Sequence, residues 1–521
     1  MIQSKSDVLI IGAGLGGLAA GVTLTRSGYS VKILEKHTQV GGCATTFRRK
    51  GFHMEVGLHA INGLRNGEPQ QQLLKTLGVW DHLEPLELPE FYNLSIPGVL
   101  NFNFPTNPKE ASGNLKRLFP NEKSSIDRYF ADLLTAYKLS KMYTDSNTVG
   151  SNAAAFEINS PEYDTLIHWQ STSVGKYLDD LNLSIELKAC ILGNLGYYGD
   201  NPYQLSLLYF LIAQASFVYG GAFYLKGGSQ SLSNALRDEF CRLGGELLLK
   251  SEVQSLILSE NRVIGCKTKD TQEYYCRYLI ANCAIPYLID NLLPEAFKTK
   301  LKNKIKTHNI SCSLSSLYLG FKTNLSQSGI KHYSNFFLAP EALKNFNKLQ
   351  PFLQNLKSFT SQLEWHRYAG CLINYDLVDH ELCSDNYSLA VMCSIDYAAR
   401  WNHTDKSLYK KQKQRYMESM FNWLNIIAPG ASNSVFYKEV ATPLTIQRYT
   451  NNSQGSPYGF EQSTNSSGSN RIGYVSPLAG LFFASAWTRP GGGFTGALIA
   501  GKLCGDKVIK LLARSSKKTK I

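Results

Sequence analysis

The first strongly patterned segment of the chain follows Asp7, where four apolar residues in a row, residues 8–11, lead into a run of glycines. An uninterrupted apolar run of this length is typical of a strand that is covered on both faces, as in a parallel sheet. Residues 15–27 follow with helical spacing, and Gly28 stands where helices commonly end. Residues 30–34, with three apolar residues among five, predict a second strand. The chain therefore begins with a predicted strand–helix–strand unit.

Glycines at the junction of this strand and helix have the spacing of a dinucleotide-binding fingerprint. Gly12, Gly14 and Gly17 fit G-x-G-x-x-G, in which the first glycine allows a tight turn, the second admits a pyrophosphate and the third lets the helix pack on the strand. Glu35 ends the second strand, close to the roughly 20 residues expected for the carboxylate that hydrogen-bonds an adenosine ribose. Because an acid there favours an unphosphorylated ribose, the unit predicts FAD or NAD rather than NADP.

Apolar segments later in the chain predict further parts of the same sheet. Residues 224–258 read as a turn, a helix and a strand, and residues 262–286 read as two more strands and a turn at Pro286 that complete a meander. Residues 480–484 form another apolar run, and a helix rich in small residues starts at Phe494. We expect these pieces to fold back onto the first unit, because a single strand–helix–strand unit is not stable alone.

Residues 206–225 form one long uncharged stretch and are nominally long enough to span a bilayer. The stretch contains Gln214 and the pair Gly220–Gly221, and it lacks a strong bias of flanking charge. It therefore predicts a buried helix that runs into a strand, with a membrane-dipping or substrate-tunnel helix as the alternative.

Two long segments, rich in Tyr and Phe, carry no dinucleotide signal. We interpret them as a substrate-binding domain inserted twice, residues 101–220 and 291–439, into a dinucleotide-binding domain made of residues 1–100, 221–290 and 440–521. Residues 451–470, which are rich in Asn, Ser, Gly and Gln, predict a surface loop.

Composition narrows the class of protein. With 521 residues, 43% of them apolar, the chain can bury sizeable cores and is not compositionally disordered. Its 11 cysteines are scattered and none has C-x-x-C spacing, which argues against a disulfide framework, a zinc ribbon or a dithiol redox centre, and we predict no metal site. Since no secretory signal precedes the first strand, we expect a reducing, cytoplasmic location.

Basic residues are concentrated in two places of a chain with a net charge of +13. Six lie after Asp506 with no acid among them, and a second cluster occupies residues 298–306. Such segments attract an anionic membrane surface at ~1 kcal/mol per Lys or Arg, which predicts peripheral association; the alternative is a solvated chain end. We predict no nucleic-acid partner, because no binding module accompanies the charge.

Four segments together resemble one group of flavoenzymes. They read KHTQVGGCATTFRRKGFHMEVGLHAI after Glu35, YLKGGSQSLSNAL from Tyr224, TPLTIQRYTNNSQGSPYGF from Thr442, and ASAWTRPGGGFTGALIAG near the C-terminus. In this combination the chain resembles the FAD-dependent superfamily of phytoene desaturases, carotenoid isomerases and all-trans-retinol saturases. The resemblance implies FAD as the cofactor and a mixed α/β fold, in which a Rossmann-like FAD-binding domain is interleaved with a substrate-binding domain.

The resemblance also assigns residues to the FAD site. The pair Gly41–Gly42 would pass the flavin phosphates, and three consecutive glycines near the C-terminus would lie beside the flavin, where side chains would block its approach. The helix after them would direct its N-terminus at the flavin. The complete predicted set is Gly12, Ala13, Gly14, Gly17, Glu35, Gly41, Gly42, Val253, Trp487, Gly491, Gly492 and Gly493.

Few polar residues are candidates for catalysis. His59, in VGLHAI, would run near the flavin by resemblance, and a structural histidine is the alternative. Many relatives have Arg directly after the Gly-Gly pair, whereas this chain has Cys43, as retinol-saturase-like members do; we interpret it as a small filler rather than a reactive thiol. Asp396 and Arg448 are further polar possibilities.

The resemblance implies desaturation, saturation or cis–trans isomerisation of a carotenoid, retinoid or similar isoprenoid lipid. Alternatives are an amine-oxidase-like flavoenzyme and a non-enzymatic prenyl-lipid escort similar to Rab GDP-dissociation inhibitors. Only one dinucleotide fingerprint is present, so we expect electrons to reach or leave the flavin through substrate, oxygen, a quinone or another protein rather than directly from NADPH.

Overall fold

The computed structural model describes residues 5–148, 160–344, 365–383, 387–402 and 404–518. The strands of these residues are β1 (Ser6–Ile11), β2 (Val31–Leu34), β3 (Thr46–Arg49), β4 (Phe52–Glu55), β5 (Ile61–Asn62), β6 (Pro85–Glu87), β7 (Glu90–Ile96), β8 (Leu100–Pro105), β9 (Ala222–Leu225), β10 (Glu246–Leu248), β11 (Val253–Ser259), β12 (Arg262–Thr268), β13 (Glu273–Ala281), β14 (Ser313–Phe321), β15 (Ser334–Leu338), β16 (Ala369–Asn374), β17 (Ser388–Asp396), β18 (Val435–Ala441) and β19 (Leu481–Phe483). The helices are α1 (Leu15–Arg26), α2 (Pro69–Thr76), α3 (Pro108–Leu118), α4 (Lys123–Thr148), α5 (Pro161–Ser171), α6 (Val174–Asp180), α7 (Ile185–Ile191), α8 (Leu207–Gly220), α9 (Ser229–Arg242), α10 (Ile285–Tyr287), α11 (Glu295–Ile305), α12 (Pro340–Lys344), α13 (Lys406–Ile427), α14 (Pro443–Thr450) and α15 (Phe494–Lys518).

One seven-stranded sheet carries the glycine fingerprint. Its order is β10–β2–β1–β13–β12–β11, and β19 also pairs with β13. The strands β10, β2, β1, β13 and β19 run parallel, whereas β11, β12 and β13 form an antiparallel meander. The predicted strand–helix–strand unit, the meander and the return of residues 480–484 to the same sheet are therefore confirmed.

Helix α1 is enclosed by protein, and its small residues allow this. Every residue from Leu15 to Thr25 is buried, and α1 packs against α9 and α15. A Cβ atom placed on Gly501 of α15 would collide with the carbonyl oxygen of Gly16, so the two helix backbones touch here. The helix ends as predicted, because Gly28 has a φ of +83° just after it, a backbone conformation that suits glycine.

A second seven-stranded sheet, ordered β18–β14–β17–β16–β15–β7–β8, lies outside the dinucleotide-binding unit. Its pairs are antiparallel except for β7 with β15. Helix α13 contributes Met420, Trp423 and Leu424 to a buried cluster with the strand residues Leu317 and Met392. Strand β7 precedes residue 101, so the second sheet begins before the predicted start of the substrate-binding domain; the domain division itself stays a prediction.

Three predictions from the sequence concern the helices and can be compared with the structure. The uncharged residues 206–225 form α8 and β9, as predicted, because a helix that is apolar all round is stable when it is buried. The turn predicted at Pro286 is wrong, since Pro286 lies in the short helix α10, where proline fits the first turn. Among the described residues, none of the helices combines the length and the apolar character needed to cross a bilayer.

For residues 451–470 the predicted loop is confirmed, whereas its predicted position on the surface is wrong for a large part of the segment. The segment is irregular, but Gly455, Ser456, Phe460 and Ser466 are buried. Asn, Ser and Gly are common on surfaces, yet here several of them lie in the interior, where Ser456 Oγ donates to the Gly459 carbonyl at 3.1 Å and Ser466 Oγ to the Glu461 carbonyl at 2.7 Å.

Candidate active site

One large cavity of about 2360 Å³ is lined by residues of both sheets. Typical small-molecule sites measure roughly 300–1,000 Å³, so this space is large enough for a large cofactor and a second molecule together. One end of it is lined by residues of the glycine fingerprint, and another by aromatic side chains of α8 and its neighbours.

The fingerprint end is built by β1 and the N-terminus of α1. Gly12 has a φ of +95° and turns the chain out of the strand, while Gly14 is the residue before the first helical turn and no side chain caps it. Asn282, directly after β13, donates a hydrogen bond from Nδ2 to the Gly12 carbonyl at 3.2 Å. A Cβ atom on Gly14 would lie 2.9 Å from Asn282 Nδ2. The uncapped backbone N–H groups and the dipole of α1 make this corner suited to an anion such as a pyrophosphate.

Glu35 and the second glycine pair lie beside this corner. Glu35 Oε2 accepts from the Ala13 N–H at 2.7 Å and Oε1 accepts from the His37 N–H at 2.8 Å, which fixes the carboxylate at the cavity wall. An ionised carboxylate has about four lone-pair sites, so it can accept further hydrogen bonds from a ribose. The Gly41 N–H donates to the Ala13 carbonyl at 2.8 Å, which joins the Gly41–Gly42 pair to the fingerprint.

The three C-terminal glycines differ in what they allow. A Cβ atom on Gly491 would collide with the side chain of Gln462, and one on Gly492 would lie 2.7 Å from Tyr458 Cα. Around Gly493 nothing lies within 4 Å of a Cβ atom, and its φ is +83°. Gly492 and Gly493 line the cavity directly before α15 begins at Phe494. Gly491 thus permits protein packing, whereas Gly493 leaves open space in front of the helix.

A buried arginine shapes this part of the wall. Arg471 is 1% exposed and donates to the carbonyls of Phe460 at 3.2 Å, Glu461 at 3.1 Å, Ala486 at 2.8 Å and Thr488 at 3.0 Å. Burial lowers the pKa of Arg471 to about 10, so it remains a cation at neutral pH. It ties the irregular segment 451–470 to the C-terminal glycine signature.

Cys43 also joins these segments through side chains. Trp487 Nε1 donates to Asn452 Oδ1 at 3.3 Å, and Asn452 Nδ2 lies 3.6 Å from Cys43 Sγ. Burial raises the pKa of Cys43 to about 11, so its thiol is protonated at neutral pH. Because the thiolate is the reactive form, Cys43 fits the predicted role of a small filler rather than a nucleophile.

His59 lies in the loop between β4 and β5, and buried groups from distant parts of the chain hold the backbone of this loop. Glu55 Oε1 accepts from the N–H groups of Gly57 at 2.9 Å and Leu58 at 2.8 Å. Tyr375 donates its hydroxyl to the Leu58 carbonyl at 3.0 Å, and Tyr333 donates to the His59 carbonyl at 2.7 Å. Burial raises the pKa of Glu55, and its hydrogen bonds oppose that shift. We call Glu55, Tyr333 and Tyr375 the loop clamp.

The imidazole of His59 reaches the cavity among sulfur and aromatic groups. His59 Nε2 lies 3.7 Å from Cys393 Sγ, and Ser316 Oγ lies 3.1 Å from the same sulfur. The centroid of the His59 ring is 5.8 Å from that of Tyr197. The cavity wall beyond is formed mainly by uncharged side chains, among them Tyr197, Tyr198, Leu208, Tyr209, Ile212, Ala213, Phe217 and Tyr458.

The remaining predicted residues divide between this cavity and the core. Val253 and Trp487 line the cavity, whereas Ala13 and Gly17 are buried behind the fingerprint turn. Arg448 also lines the cavity. Asp396 does not: it accepts from Ser315 Oγ at 2.6 Å and Trp401 Nε1 at 2.9 Å and lies 3.1 Å from Arg400 NH1, so it is a structural carboxylate. Within the described ranges no group of His, Cys, Asp and Glu could hold a metal ion.

Sequence reasoning missed several groups of this site. Asn282 and Arg471 stand outside the quoted motifs, and Tyr333 and Tyr375 of the loop clamp come from segments without any motif. Asn282 directly follows a predicted strand of the parallel sheet, and that position was a usable signal, since ligands bind outside the carboxyl ends of such strands.

Comparison with known proteins gives a family and a set of distant relatives. A family model described as flavin containing amine oxidoreductase matches residues 15–509. The all-trans-retinol 13,14-reductase of Danio rerio is 24% identical, with 98% of this chain and 86% of that protein aligned. The chloroplastic prolycopene isomerase of Arabidopsis thaliana is 22% identical over 97% of this chain and 83% of that protein. The lycopene-forming phytoene desaturase of Pantoea ananas is 23% identical over 95% of this chain and 97% of that protein.

Solved structures share the architecture. Cyclohexylamine oxidase from Brevibacterium oxydans aligns with a TM-score of 0.61 at 15% identity, over 98% of this chain and 100% of that chain. At this identity the similarity concerns the fold, which is the predicted mixed α/β architecture with a Rossmann-like unit.

Proposed function

The chain belongs to the family of flavin-containing amine oxidoreductases, and on that premise we propose that it changes carbon–carbon bonds of a carotenoid, retinoid or similar isoprenoid lipid. The reaction class is desaturation, saturation or cis–trans isomerisation. The proposal draws support from the names of the relatives that align with nearly the whole chain, a retinol reductase, a prolycopene isomerase and a phytoene desaturase.

FAD is the cofactor, and the residues of the cavity fit it. Gly12, Gly14 and the uncapped start of α1 would hold the pyrophosphate, and Glu35 would accept hydrogen bonds from the ribose. The open space at Gly493 before α15 would admit the ring system. When bound, the flavin supplies hydride transfer to or from carbon.

The observation that carries the substrate class is the uncharged wall beyond His59. On the cavity side, α8 presents Leu208, Tyr209, Ile212, Ala213, Ser216 and Phe217, all uncharged. A polyene offers almost no hydrogen-bonding groups, so burial of apolar surface at about 25 cal/mol per Å² is what can bind it. The wall would align a linear apolar molecule and exclude water.

His59 is the polar group we propose to act on the substrate. It lies at the cavity wall beside Tyr197, and the loop clamp fixes its backbone. In saturation or isomerisation a positioned imidazole would deliver or remove the proton that accompanies the change at carbon. We favour these two directions over desaturation, because Cys43 matches the retinol-saturase-like pattern.

A bulky substitution that narrows the cavity beside α8 tests this proposal. Ala213→Phe places a ring in the cavity from the wall of α8, so we expect polyene turnover to fall at least about tenfold, a barrier change of roughly 1.4 kcal/mol, while FAD content stays unchanged. Ala131→Phe, on the exposed side of α4, is the matched control and should retain activity. The proposal fails if Ala213→Phe turns over polyenes like the control, or if cyclohexylamine is oxidised and every polyene is left unchanged.

We further propose that the protein binds peripherally to an anionic membrane surface from which the lipid is taken. Lys507, Lys510 and Arg514 are exposed, line the edge of the cavity and recur at i, i+3 and i+7, so they share one face of α15. At ~1 kcal/mol per residue this basic stripe contributes about 3 kcal/mol to binding of an anionic bilayer.

Vesicle sedimentation tests the membrane proposal. Replacing the three residues of the basic stripe by Glu should lower binding to anionic vesicles by about 100-fold or more, for roughly 3 kcal/mol. The same replacement at the exposed Lys109, Arg117 and Lys123, on α3 and at the start of α4 and outside both basic clusters, is the control for net charge. Equal losses in both variants would show that net charge rather than the basic stripe attracts the protein, and no binding by the unmodified protein would refute the proposal.

A further inference from the structure

Two buried cysteines lie opposite each other on neighbouring strands of the second sheet. Cys371 of β16 and Cys393 of β17 are register partners, and both are free thiols, 5% and 4% exposed. Directly opposite residues of an antiparallel pair have Cα atoms about 4.5 or 5.5 Å apart, and disulfides form over about 4.4–6.8 Å. The backbone therefore holds this cysteine pair at disulfide distance without any movement of the strands.

The surroundings of Cys393 favour its thiolate. A hydrogen bond from the Cys371 thiol is the main cause that holds the pKa of Cys393 well below that of an ordinary thiol, and contacts with His59 and Ser316 act in the same direction, while burial opposes them. Burial instead raises the pKa of Cys190, which lies outside the second sheet. Since the thiolate is the nucleophile in disulfide formation, Cys393 is poised to react and Cys371 to be its partner.

One member of the cysteine pair reaches the cavity in which the flavin would bind. Cys393 and His59 both line the cavity. A Cβ atom on Gly57, two residues before His59, would lie 3.9 Å from the ring of Phe494, the first residue of α15. The loop that carries His59 thus lies close to the start of the helix that follows the C-terminal glycines.

We propose that Cys371 and Cys393 are a redox-active dithiol that closes to a disulfide and exchanges an electron pair with the bound flavin. As the S–S bond forms, the two sulfurs lose two electrons and two protons in total; one proton goes with the electron pair to the flavin, and His59 takes the other. Oxidised flavin is the oxidant and receives both electrons, and the reverse exchange reopens the disulfide when the flavin is reduced. The proposal rests on FAD as the cofactor and not on the lipid substrate.

Such a cysteine pair would act as a second two-electron redox group beside the flavin. The single dinucleotide fingerprint leaves the route of electrons open. The spacing argument from the sequence concerned cysteines three positions apart in C-x-x-C, whereas these two positions meet only through the pairing of β16 with β17.

Anaerobic titration of the FAD-loaded, air-oxidised protein with dithionite tests the proposal by counting electrons. The unmodified protein should take up about four electrons per flavin, two for the flavin and two for the disulfide, since each is a two-electron couple. Cys371→Ser and Cys393→Ser should each take up about two. Cys266→Ser, which removes a buried thiol from β12 outside the cavity lining, should still take up four.

Peptide mapping gives a second readout that needs no variant. Alkylation of the oxidised, unfolded protein should spare Cys371 and Cys393 and leave their peptides linked, whereas both become alkylated after dithionite reduction. Uptake of only two electrons by the unmodified protein, or free alkylation of both thiols in the oxidised protein, would overturn the proposal. Should a serine variant fail to bind FAD, the mapping of the unmodified protein still decides.

Discussion

The loop clamp predicts a defined loss when one hydroxyl is removed from Tyr333. The Tyr333 side chain is 1% exposed, and its hydroxyl donates to the His59 carbonyl at 2.7 Å. Tyr333→Phe keeps the ring and its packing but leaves this buried carbonyl without that donor. Tyr375→Phe removes the equivalent bond to the Leu58 carbonyl at 3.0 Å.

The expected magnitude follows from the cost of an unsatisfied buried acceptor. Such a group costs about 1–3 kcal/mol, so the free energy of unfolding should fall by about that amount in each variant. If this cost of about 1–3 kcal/mol is paid entirely in the conformation that positions His59 for the reaction, that conformation becomes less populated and turnover falls by about 5- to 150-fold. FAD content should not change, because neither tyrosine lines the cavity.

Tyr224 offers a matched control in the same aromatic cluster. Its ring centroid is 6.2 Å from that of Tyr333, yet among the described residues its hydroxyl has no hydrogen-bond partner. Tyr224→Phe removes a buried hydroxyl that has no partner, so it should leave the free energy of unfolding unchanged or raise it, in contrast to the loss expected for the other two variants. For all three variants, urea unfolding gives the free energy of unfolding and a turnover assay gives the activity. If Tyr333→Phe and Tyr375→Phe behave like Tyr224→Phe in both assays, the loop clamp does not position His59.

Further predictions follow from the cofactor end. Gly14→Val should lower FAD affinity at least about tenfold in equilibrium dialysis, because its side chain meets Asn282 and enters the cavity; unchanged affinity would place the phosphates elsewhere. Arg471→Met removes the guanidinium donor from four carbonyls, of which only that of Glu461 keeps a second side-chain donor, Ser466 Oγ, and should cost at least about 3 kcal/mol, seen as flavin release at lower temperature. In the apoprotein, alkylation of Cys43 should increase only as pH rises toward about 11, since its raised pKa keeps the thiol protonated below that, whereas Cys393 should react at lower pH than an ordinary thiol. NADPH alone should reduce the flavin slowly or not at all in anaerobic stopped-flow; rapid saturable bleaching would reveal a nicotinamide site.

The parts of the fold that sequence predicts best are those with local signals. β1, α1 and β2 are specified by an apolar run, helical spacing and glycines within a short stretch, and the structure confirms each element. The same holds for α8, since its uncharged sequence suits only a buried helix. The exposure of residues 451–470 was predicted wrongly because the prediction used only their composition. Arg471, the buried cation that holds the segment through hydrogen bonds, lies just outside it.

The site itself was predictable only in part, because its groups meet through tertiary structure. Gly12, Gly14 and Glu35 belong to one local motif and lie together as expected. The loop clamp joins β4 to residues more than two hundred positions away, and Cys371 meets Cys393 only through strand register. No local periodicity encodes such pairings, so the groups around His59 could be identified only from the three-dimensional structure.

The central claim is that the bound flavin exchanges hydrogen with a polyene lipid. A single-turnover experiment tests it most directly: the protein is loaded with FAD and mixed anaerobically, in oxidised and in photoreduced form, with retinoids and carotenoids. We predict one product molecule per flavin, with two hydrogens gained as reduced flavin is oxidised, or an isomer of unchanged mass that forms only with reduced flavin. Polyenes left unchanged in both redox states, by a protein that retains its FAD, would contradict the account.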